Sequence, residues 1–262
     1  MKIILCDKLM RRDVDSSYSI ECGAHDGVHH FDHHGEFSVQ PSPCVANLPK
    51  IEQDGNSTIQ LSHIDSDSFL AVARMVGLEI PSWLNLDLVQ AIDNAGQGVC
   101  EDKFDKTLLF VVGVGALAKK LGFPIVSHEE QDITDIVIQM LATSFEEIVE
   151  IGRAVQEVVE PTYARCVVAK DPATKTMFIH LEDNDNLSAS SAYEDGYEKV
   201  VIFRDCYKSI SVYADEATDY NFKGKILAGI KFDGHDKAAG SPRGVSHTPE
   251  QAEAVYEALR LL

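Results

Sequence analysis

The stretch between Thr58 and Gly77 limits the fold more than any other part of the sequence. A short apolar strand at 58–61 leads through a polar turn at 63–67 into an amphipathic helix. The apolar residues of that helix fall on one face, and Gly77 stands where a C-terminal cap belongs. A strand, a polar turn and a helix in this order are typical of α/β sheets, which carry functional sites at the ends of their strands.

The remaining elements divide near Pro161 into two predicted domains. Before it we predict strands at 2–6, 18–22 and 28–31, and helices at 105–121, 132–141 and 145–160. Beyond it we predict strands at 164–169, 175–181, 200–203 and 209–213, and a closing helix that begins after Thr248. We therefore expect an α/β fold: a parallel-sheet domain at 1–160 with helices on both faces, and a smaller α/β domain at 161–262.

Capping residues mark several of these helix ends. Asp105 is the predicted N-cap of the helix at 105–121. Ser144 and Glu147 form a predicted capping box at the start of the helix at 145–160. Gly113 and Gly115 count against the first of these helices, because a glycine inside a helix costs about 1 kcal/mol relative to alanine.

The charge of the chain excludes some partners. Its 42 acidic and 23 basic residues give a formal net charge of −19, whereas binding long nucleic acid needs many Lys/Arg–phosphate contacts. The longest apolar run, 108–118, is too short to cross a bilayer, and no signal-peptide core is present at the start. The six cysteines lie far apart, which favours reduced thiols in a cytoplasmic protein. An acidic surface also suits a high-salt environment or a basic protein partner.

Two clusters of histidine and aspartate carry the chemistry. The segment 25–34 holds five of the ten histidines, and His63, Asp65 and Asp67 follow a predicted strand. Alternate residues of an extended segment point the same way, so these last three side chains can converge on one point. Imidazole and carboxylate groups in such a set suit a divalent ion such as Mn²⁺.

Each cluster also has an ordinary explanation. The aspartates at 65 and 67 suit an exposed helix N-cap, and the histidine-rich segment suits a solvated loop or an adventitious nickel or zinc binder. An EF-hand is excluded, because the sixth position from Asp65 is Leu70 and the twelfth is Val76. Two independent ligand sets at predicted strand ends favour a metal site.

The run Asp32-His33-His34 resembles the signature of the DHH phosphoesterase superfamily. Members of that family include single-strand exonucleases, oligoribonucleases, cyclic-dinucleotide phosphodiesterases and one type of pyrophosphatase. Its motifs are His-x-Asp-x-Asp, a lone Asp after a strand, Asp-His-His and a later Asp. The run 63–67 is similar to the first motif, and Asp93 in Ile-Asp-Asn-Ala-Gly is similar to the fourth, as MYG-type nucleases have it.

The order of these motifs departs from the family. His-x-Asp-x-Asp normally comes first, whereas here it follows Asp-His-His. Such a circular permutation is tolerable, because a site at strand ends depends on position in space and not on chain order. Asp7, which ends an apolar strand, is the best match for the lone Asp of the second motif. Glu21 and Asp26 are the alternative candidates for that position.

The resemblance implies a site for two Mn²⁺ ions, or Mg²⁺ or Co²⁺, about 3.5–4 Å apart. His63 and Asp65 would bind one ion, and His33, Asp67 and Asp93 the other, with Asp7 between them. His34 would contact the phosphate of the substrate, and Asp32 would orient the neighbouring imidazoles.

The segment 232–244 resembles the Gly-Gly-His…Ala-Ala-Gly loop of the DHH-associated C-terminal domain, which holds the phosphate or terminal nucleotide of the substrate. By this resemblance Gly234, His235, Lys237 and Arg243 would bind substrate. Glycine lets backbone N–H groups approach an anion, and the other three residues supply charge-assisted donors.

These observations predict a metal-dependent phosphodiesterase or phosphoesterase that acts on a short oligonucleotide, a dinucleotide or another small phosphoester. We expect neither long duplex nucleic acid nor a membrane as a partner. The alternatives are a MYG-type or single-strand exonuclease with a basic cleft, and a non-catalytic metal- or nucleotide-binding protein on the same scaffold. The sequence leaves open the physiological substrate, the metal and the oligomeric state, a homodimer included.

Overall fold

The computed structural model describes residues 1–5, 17–51, 57–123, 130–182, 185, 187–242 and 244–262. The chain divides into two compact units. The first unit comprises Met1–Asp93 and Asp102–Gln156, and the second comprises Asn94–Glu101 and Glu157–Leu262. Over the described ranges, each helix is too short or too polar to cross a membrane.

The first unit is built on a five-stranded sheet. Its strands are β1 (Lys2–Leu5), β2 (Ser17–Ile20), β3 (His30–Phe31), β4 (Thr58–Leu61) and β5 (Gln131–Asp132), in the order β3-β2-β4-β1-β5. The first four strands run parallel, and β5 pairs antiparallel with β1. The parallel prediction therefore holds for four strands and is wrong for the edge strand β5.

Among the described residues, five α-helices lie wholly or mainly in the first unit: α1 (Ser66–Met75), α2 (Leu86–Ala95), α3 (Lys106–Lys120), α4 (Thr134–Ala142) and α5 (Phe145–Gln156). The predicted capping residues are confirmed at two of them. Asp105 accepts the first free N–H groups of α3, and Ser144 Oγ accepts the N–H of Glu147 at the start of α5. Since helix starts leave backbone N–H groups without partners, such side chains define where each helix begins.

In its described residues the second unit has a six-stranded mixed sheet, a separate two-stranded sheet and three α-helices. In chain order its elements are α6 (Val159–Cys166), β6 (Val167–Asp171), β7 (Thr176–Leu181), α7 (Ser190–Glu194), β8 (Lys199–Arg204), β9 (Ser209–Ala214), β10 (Ile226–Leu227), β11 (Ile230–Lys231), β12 (Asp233–Gly234), β13 (Ala238–Gly240) and α8 (Pro249–Arg260). The sheet order is β12-β13-β9-β8-β7-β6. One face packs on α8, and the other packs on residues of α6 and α7. The α/β prediction is confirmed, with helices flanking the sheets.

Several element boundaries differ from the predictions, and three of them have a clear local reason. The helix predicted to reach Glu160 ends at Gln156, and Pro161 lies in the first turn of α6. A proline is tolerated there, because N–H groups of the first turn have no partner within the helix. Residues 164–166 are consequently helical and not part of a strand. The strand predicted at 18–22 ends at Ile20, where Glu21 turns to a positive φ of 62°.

Glycines let α3 and α5 cross at very close distance. A Cβ added to Gly113 would lie 1.9 Å from the carbonyl oxygen of Ile148, and one added to Gly152 would lie 1.8 Å from that of Leu109. The low helix propensity of Gly113 is therefore offset by the close packing of two backbones. Gly115 is exposed and meets nothing within 4 Å, so it has no such role.

We expect Gly113→Ala and Gly152→Ala to lower the free energy of unfolding by about 1–3 kcal/mol or more, because the added methyl group forces the helices apart. The matched control Gly115→Ala should raise it by up to about 1 kcal/mol, because alanine favours the helix. Urea unfolding of the three variants measures this. Equal effects at positions 113 and 115 would contradict the packing argument.

Candidate metal centre

Three parallel strands end beside one another in the first unit. Ile20 at the end of β2 pairs with both Phe31 of β3 and Leu61 of β4. The residues that follow these strand ends therefore emerge at one edge of the sheet. They are Glu21 after β2, the run 32–34 after β3 and His63 after β4.

Glu21 lies at the centre of this edge. Its side chain is fully buried, with Oε1 3.0 Å from Nε2 of His33 and Oε2 3.1 Å from Nε2 of His63. Oε2 also lies 3.6 Å from Nδ1 of His34. One carboxylate therefore contacts the imidazoles that follow two different strands.

The helices α1 and α2 add three aspartates to the cluster. Asp65 Oδ2 lies 2.9 Å from His63 Nε2. Asp67 Oδ2 and Asp93 Oδ2 lie 3.6 Å and 3.1 Å from His33 Nε2. Two groups of potential ligands result, each within 4.8 Å: Glu21, His63 and Asp65 in one, and His33, Asp67 and Asp93 in the other. A third group, Glu21 with His33 and His34, links them.

The structure distinguishes two of the three candidates for the second motif, Glu21 and Asp26. Glu21 lies between the two ligand groups, the place that the sequence analysis assigned to Asp7. Asp7 itself lies outside the described residues. Asp26 lies apart from these groups, because its Oδ1 accepts the N–H groups of Val28, His29 and His30 and closes a turn. Burial raises the pKa of Asp26, but these N–H groups outweigh it and bring the pKa to about 2.

Only part of the histidine-rich segment reaches the cluster. His33 and His34 lie beside Glu21, whereas His25 Nδ1 accepts the N–H of Asp32 and His30 Nδ1 is 2.7 Å from Ser19 Oγ. His29 is exposed. The ordinary explanation, a solvated loop, therefore fits His29 and does not fit the buried His33.

Asp65 and Asp67 each use one oxygen to hold the structure. Asp65 is the N-cap of α1, where its Oδ1 accepts the N–H of Ser68 at 2.9 Å. Asp67 Oδ1 accepts hydrogen bonds from the Ser42 hydroxyl and the Cys44 N–H. The second oxygen of each aspartate is thereby directed at a histidine. The N-cap explanation therefore holds for Asp65 and not for Asp67, which is buried within α1, and a ligand role for the second oxygen of each stays a prediction.

The loop at 42–46 is a part of the site that sequence reasoning missed. Arg74 of α1 donates to the carbonyl oxygens of Cys44 and Ala46, and Gln90 of α2 accepts the N–H of Ser42. The loop therefore connects the helices that carry Asp67 and Asp93. Prolines at 41 and 43 are its only sequence signal, and they indicate a turn without indicating what it binds.

Several buried oxygens of the cluster accept no hydrogen bond from any described residue. They are both carboxylate oxygens of Glu21, Oδ2 of Asp67 and Oδ2 of Asp93. Buried polar atoms normally have a partner, and their desolvation is costly without one. Carboxylate and imidazole groups facing one another in this way fit a divalent cation of the Mn²⁺ type.

Asp32 lies behind these ligands. It is almost fully buried, and its Oδ1 accepts the N–H of His34 and lies 3.1 Å from His34 Nδ1. Its Oδ2 accepts the N–H of Gly23, in the segment that follows Glu21. Asp32 is thus placed so that it can orient the His34 imidazole and the adjacent backbone. This position is compatible with its predicted role of orienting the neighbouring imidazoles.

The predicted substrate-binding loop is a hairpin of the second unit. Gly234 has a φ of +139°, and a Cβ there would lie 2.8 Å from the carbonyl oxygen of Ala238, so the turn requires glycine. His235 N–H donates to the same carbonyl group. The ammonium group of Lys237 donates to the carbonyl oxygen of Thr218. Arg243 lies outside the described residues, and substrate binding by this hairpin stays a prediction.

Comparison with known proteins gives remote likenesses. No family model and no curated protein matches the chain. Similar solved structures include the pGpG-specific phosphodiesterase PggH from Vibrio cholerae, with 12% identity, 82% of each chain covered and a TM-score of 0.42. They also include RecJ with Mg²⁺ from Thermus thermophilus, with 16% identity and a TM-score of 0.35, and an exopolyphosphatase-related protein from Bacteroides fragilis, with 13% identity and a TM-score of 0.30.

The chain spans only part of two of these proteins. The similarity to RecJ covers 74% of this chain and 37% of RecJ, and the similarity to the Bacteroides protein covers 83% of this chain and 65% of that protein. Because the three TM-scores lie below 0.5, the function is inferred from the residues of this chain.

The two central histidines carry protons when no cation is bound. Burial lowers the pKa of His33, but Asp93 and Glu21 outweigh it and raise the pKa to about 10. Burial likewise lowers the pKa of His63, and Asp65 and Glu21 raise it to about 10. Around neutral pH, protons therefore occupy the cluster in place of a cation.

The pKa values of two carboxyl groups in the cluster, Glu21 and Asp67, are shifted in opposite directions. Burial raises the pKa of Glu21, but the imidazoles of His33 and His63 outweigh it and hold the pKa well below its usual range. For Asp67, burial and the nearby carboxylates all raise the pKa well above its usual value. Glu21 is thus the anionic centre, and Asp67 is the carboxyl group that most needs a cation in order to ionise.

We expect the affinity for Mn²⁺ to rise between pH 6 and pH 8.5, with release of protons. Histidine binds a cation only when its nitrogen is deprotonated, and the raised pKa of His33 and His63 means that a cation must displace protons there. Calorimetric titration in two buffers of different ionisation enthalpy measures the protons released. His29→Gln should leave that number unchanged, and an affinity independent of pH would contradict the linkage.

The metal-free protein should lose stability as the pH rises from about 7 to about 10. An imidazole whose pKa is raised on folding, from about 6.5, stabilises the fold below its unfolded pKa and loses this contribution as the pH passes its folded value. His33 and His63 act in the same direction. Melting temperatures of EDTA-treated protein across this range test the sign. A rise in melting temperature would refute it.

Proposed function

We propose that this chain is a metal-dependent phosphoesterase that hydrolyses a phosphodiester bond in a small substrate. One observation carries the proposal: the buried carboxylate oxygens of Glu21, Asp67 and Asp93 face one another around His33, and the described donors nearest to them are imidazole nitrogens at 3.0–3.6 Å, none of which completes a well-formed hydrogen bond. Such a set is costly for a purely structural core and is suited to cations.

We assign His63, Asp65 and Glu21 Oε2 to one divalent cation. We assign His33, Asp67, Asp93 and Glu21 Oε1 to a second. When bound, a pair of divalent cations lowers the pKa of a water nucleophile and neutralises charge on the phosphoryl oxygens. This assignment keeps the predicted division of ligands and replaces Asp7 by Glu21.

The protein residues supply a rigid and pre-arranged site. Asp65 is held by the cap of α1 and Asp67 by the loop at 42–46, so neither carboxylate has to reorganise. Asp32 holds the His34 ring, whose side chain keeps 18% of its surface exposed. We assign His34 the contact with a phosphoryl oxygen of the substrate and Asp32 the orientation of that imidazole.

The proposed substrate is a short oligonucleotide, a dinucleotide or another small phosphoester. A net charge of −19 repels a long polyanion, and a short substrate experiences that field over fewer phosphates. The local cations then provide the attraction that the surface as a whole lacks.

Asp67→Asn is expected to lower the turnover of a dinucleotide with Mn²⁺ by about 100-fold or more, because even outer partners of a metal ligand contribute 10–100-fold. Glu21→Gln should have an effect of similar size through both cation sites. The control Asp135→Asn removes an exposed carboxylate from α4 of the same unit and should leave turnover unchanged.

Two results would remove the proposal. One is full activity in Asp67→Asn or Glu21→Gln. The other is stoichiometric Mn²⁺ in the purified wild-type protein, shown by elemental analysis, with no turnover of dinucleotides, short oligonucleotides or bis(p-nitrophenyl) phosphate. The second result would leave a non-catalytic metal-binding protein.

The wild-type protein should hydrolyse a dinucleotide faster than a long single strand, with kcat/KM nearly independent of salt. A binding site for a long strand makes many phosphate contacts, so its affinity falls steeply as salt rises. Assays at 50 mM and 200 mM salt with both substrates compare the two cases. Preference for the long strand together with a steep salt dependence would instead indicate a single-strand exonuclease.

A further inference from the structure

His63 is the less enclosed of the two central imidazoles. Its side chain keeps 28% of its surface exposed, whereas that of His33 keeps 2%. His63 also lies between β4 and α1, so neither a strand nor a helix fixes its backbone. Packing therefore holds the His33 ring more firmly than the His63 ring, and the orientation of His63 depends more on its hydrogen bonds.

The two ring nitrogens of His63 face different partners. Nε2 faces the metal cluster, 3.1 Å from Glu21 Oε2 and 2.9 Å from Asp65 Oδ2. Nδ1 lies 2.7 Å from the hydroxyl oxygen of Ser62. Ser62 is 8% exposed, so water has little access to replace this contact. The ring is thus held between the carboxylates on one side and a buried hydroxyl group on the other.

The hydroxyl group of Ser62 suits the state in which His63 binds a cation. A cation at Nε2 uses the lone pair of that nitrogen, so the remaining N–H of the neutral imidazole lies on Nδ1. A serine hydroxyl group can accept this N–H. In metal sites, the hydrogen bond made by the second ring nitrogen of a histidine fixes the tautomer and the orientation of the ring.

The same arrangement recurs at the two aspartates that follow His63. Ser68 Oγ donates to Asp65 Oδ1 at 2.9 Å, and Ser42 Oγ donates to Asp67 Oδ1. Both serines are fully buried. In each of the three side chains, the atom that faces away from the cluster contacts a buried serine, and the atom that faces the cluster is left for a ligand. The contact at His63 is therefore part of a repeated pattern.

We propose that Ser62 is a positioning residue of the metal centre, which holds the His63 ring so that Nε2 is directed at the cation shared with Asp65 and Glu21. The family motif begins at His63 and assigns Ser62 no role. The inference rests on the proposed metal centre. It concerns one of the two cation sites, because Ser62 bonds to a ligand of that site.

Ser19 provides a matched control. Its hydroxyl oxygen lies 2.7 Å from Nδ1 of His30, the same distance as in the Ser62–His63 pair. Ser19 is 3% exposed and belongs to β2 of the same sheet. His30 belongs to none of the ligand groups found among the described residues. Ser19→Ala therefore removes an equivalent hydrogen bond without reaching a proposed ligand.

The test measures Mn²⁺ binding by calorimetry in the full-length wild-type protein and its variants. We expect Ser62→Ala to weaken one of two binding steps by about 10–100-fold, the range that outer partners of a metal ligand contribute. The other step should change by less than about threefold. Ser19→Ala should leave both steps unchanged, and the two alanine variants should have similar melting temperatures, because each loses one buried hydrogen bond. Ser62→Thr keeps the hydroxyl group and should restore the affinity.

A double variant separates positioning from a general effect on the fold. If Ser62 acts through His63, adding Ser62→Ala to His63→Ala should change the residual Mn²⁺ affinity by less than about twofold, because two residues that serve one interaction are not additive. An equal loss in both backgrounds would overturn the proposal. So would wild-type affinity in Ser62→Ala, an equal loss in Ser19→Ala, a folded Ser62→Thr that stays as weak as Ser62→Ala, or no Mn²⁺ binding by the wild-type protein.

Turnover distinguishes failure of this proposal from failure of the phosphoesterase. In the active enzyme, Ser62→Ala should slow hydrolysis of a dinucleotide at limiting Mn²⁺, and excess Mn²⁺ should restore kcat, because the variant weakens cation binding and leaves the ligands in place. Weakened Mn²⁺ binding in Ser62→Ala with no turnover by the wild-type protein would refute the phosphoesterase alone. Turnover by the wild-type protein that Ser62→Ala matches at every Mn²⁺ concentration would refute the positioning role alone.

Discussion

The first unit depends on one electrostatic constraint, the burial of a carboxylate between imidazoles and further carboxylates. Glu21 is fully buried, and both of its oxygens lie near histidine nitrogens. An isolated ionised group in a low-dielectric interior is very costly, so it must be compensated by protons or by cations. In the metal-free protein the compensation comes from His33 and His63, whose raised pKa values keep them protonated. A divalent cation would supply the same compensation more compactly, and for this reason we propose the cluster as a binding site as well as a structural centre.

In Asp65 and Asp67, one carboxylate oxygen is hydrogen-bonded to the surrounding structure and the other faces a histidine. Asp65 caps α1 with one oxygen, and Asp67 is held by the loop at 42–46 through one oxygen. The remaining oxygens face His63 and His33. Because the hydrogen-bonded half of each carboxylate is already ordered, the other half has little conformational freedom to lose when a ligand binds. The glycine crossing of α3 and α5 contributes to the rigidity of this unit by bringing two helix backbones into contact.

The sheet of the second unit has an apolar core on each face. Val212 and Ala239 pack into one core with α8, and Val200 and Ile202 pack into the other with residues of α6 and α7. The net charge of −19 describes the repulsion of long polyanions and does not describe each local site, because charges are screened within about 8 Å at physiological salt.

Local chemistry made much of the architecture predictable. The strand at 58–61, the helix after Asp65, and the caps at Asp105, Ser144 and Thr248 follow from short-range rules of periodicity and hydrogen bonding. The candidate ligands at 63, 65 and 67 were likewise readable from their alternate spacing, and those at 33 and 93 from the family resemblance, and the structure places all five in two adjacent groups. Pro161 was misinterpreted, because a proline after a helix and a proline in the first turn of the next helix look alike in sequence.

The sequence by itself determined which residue types can bind a cation and that they follow strands. Only the tertiary structure decided which carboxylate stands between the two ligand groups. Glu21 was one of three candidates, and the parallel register of β2 with β3 and β4 places it beside His33 and His63, while Asp26 turns to its own backbone. The contacts of the loop at 42–46 were decided in the same way, because packing between distant parts of the chain sets positions that no local pattern encodes.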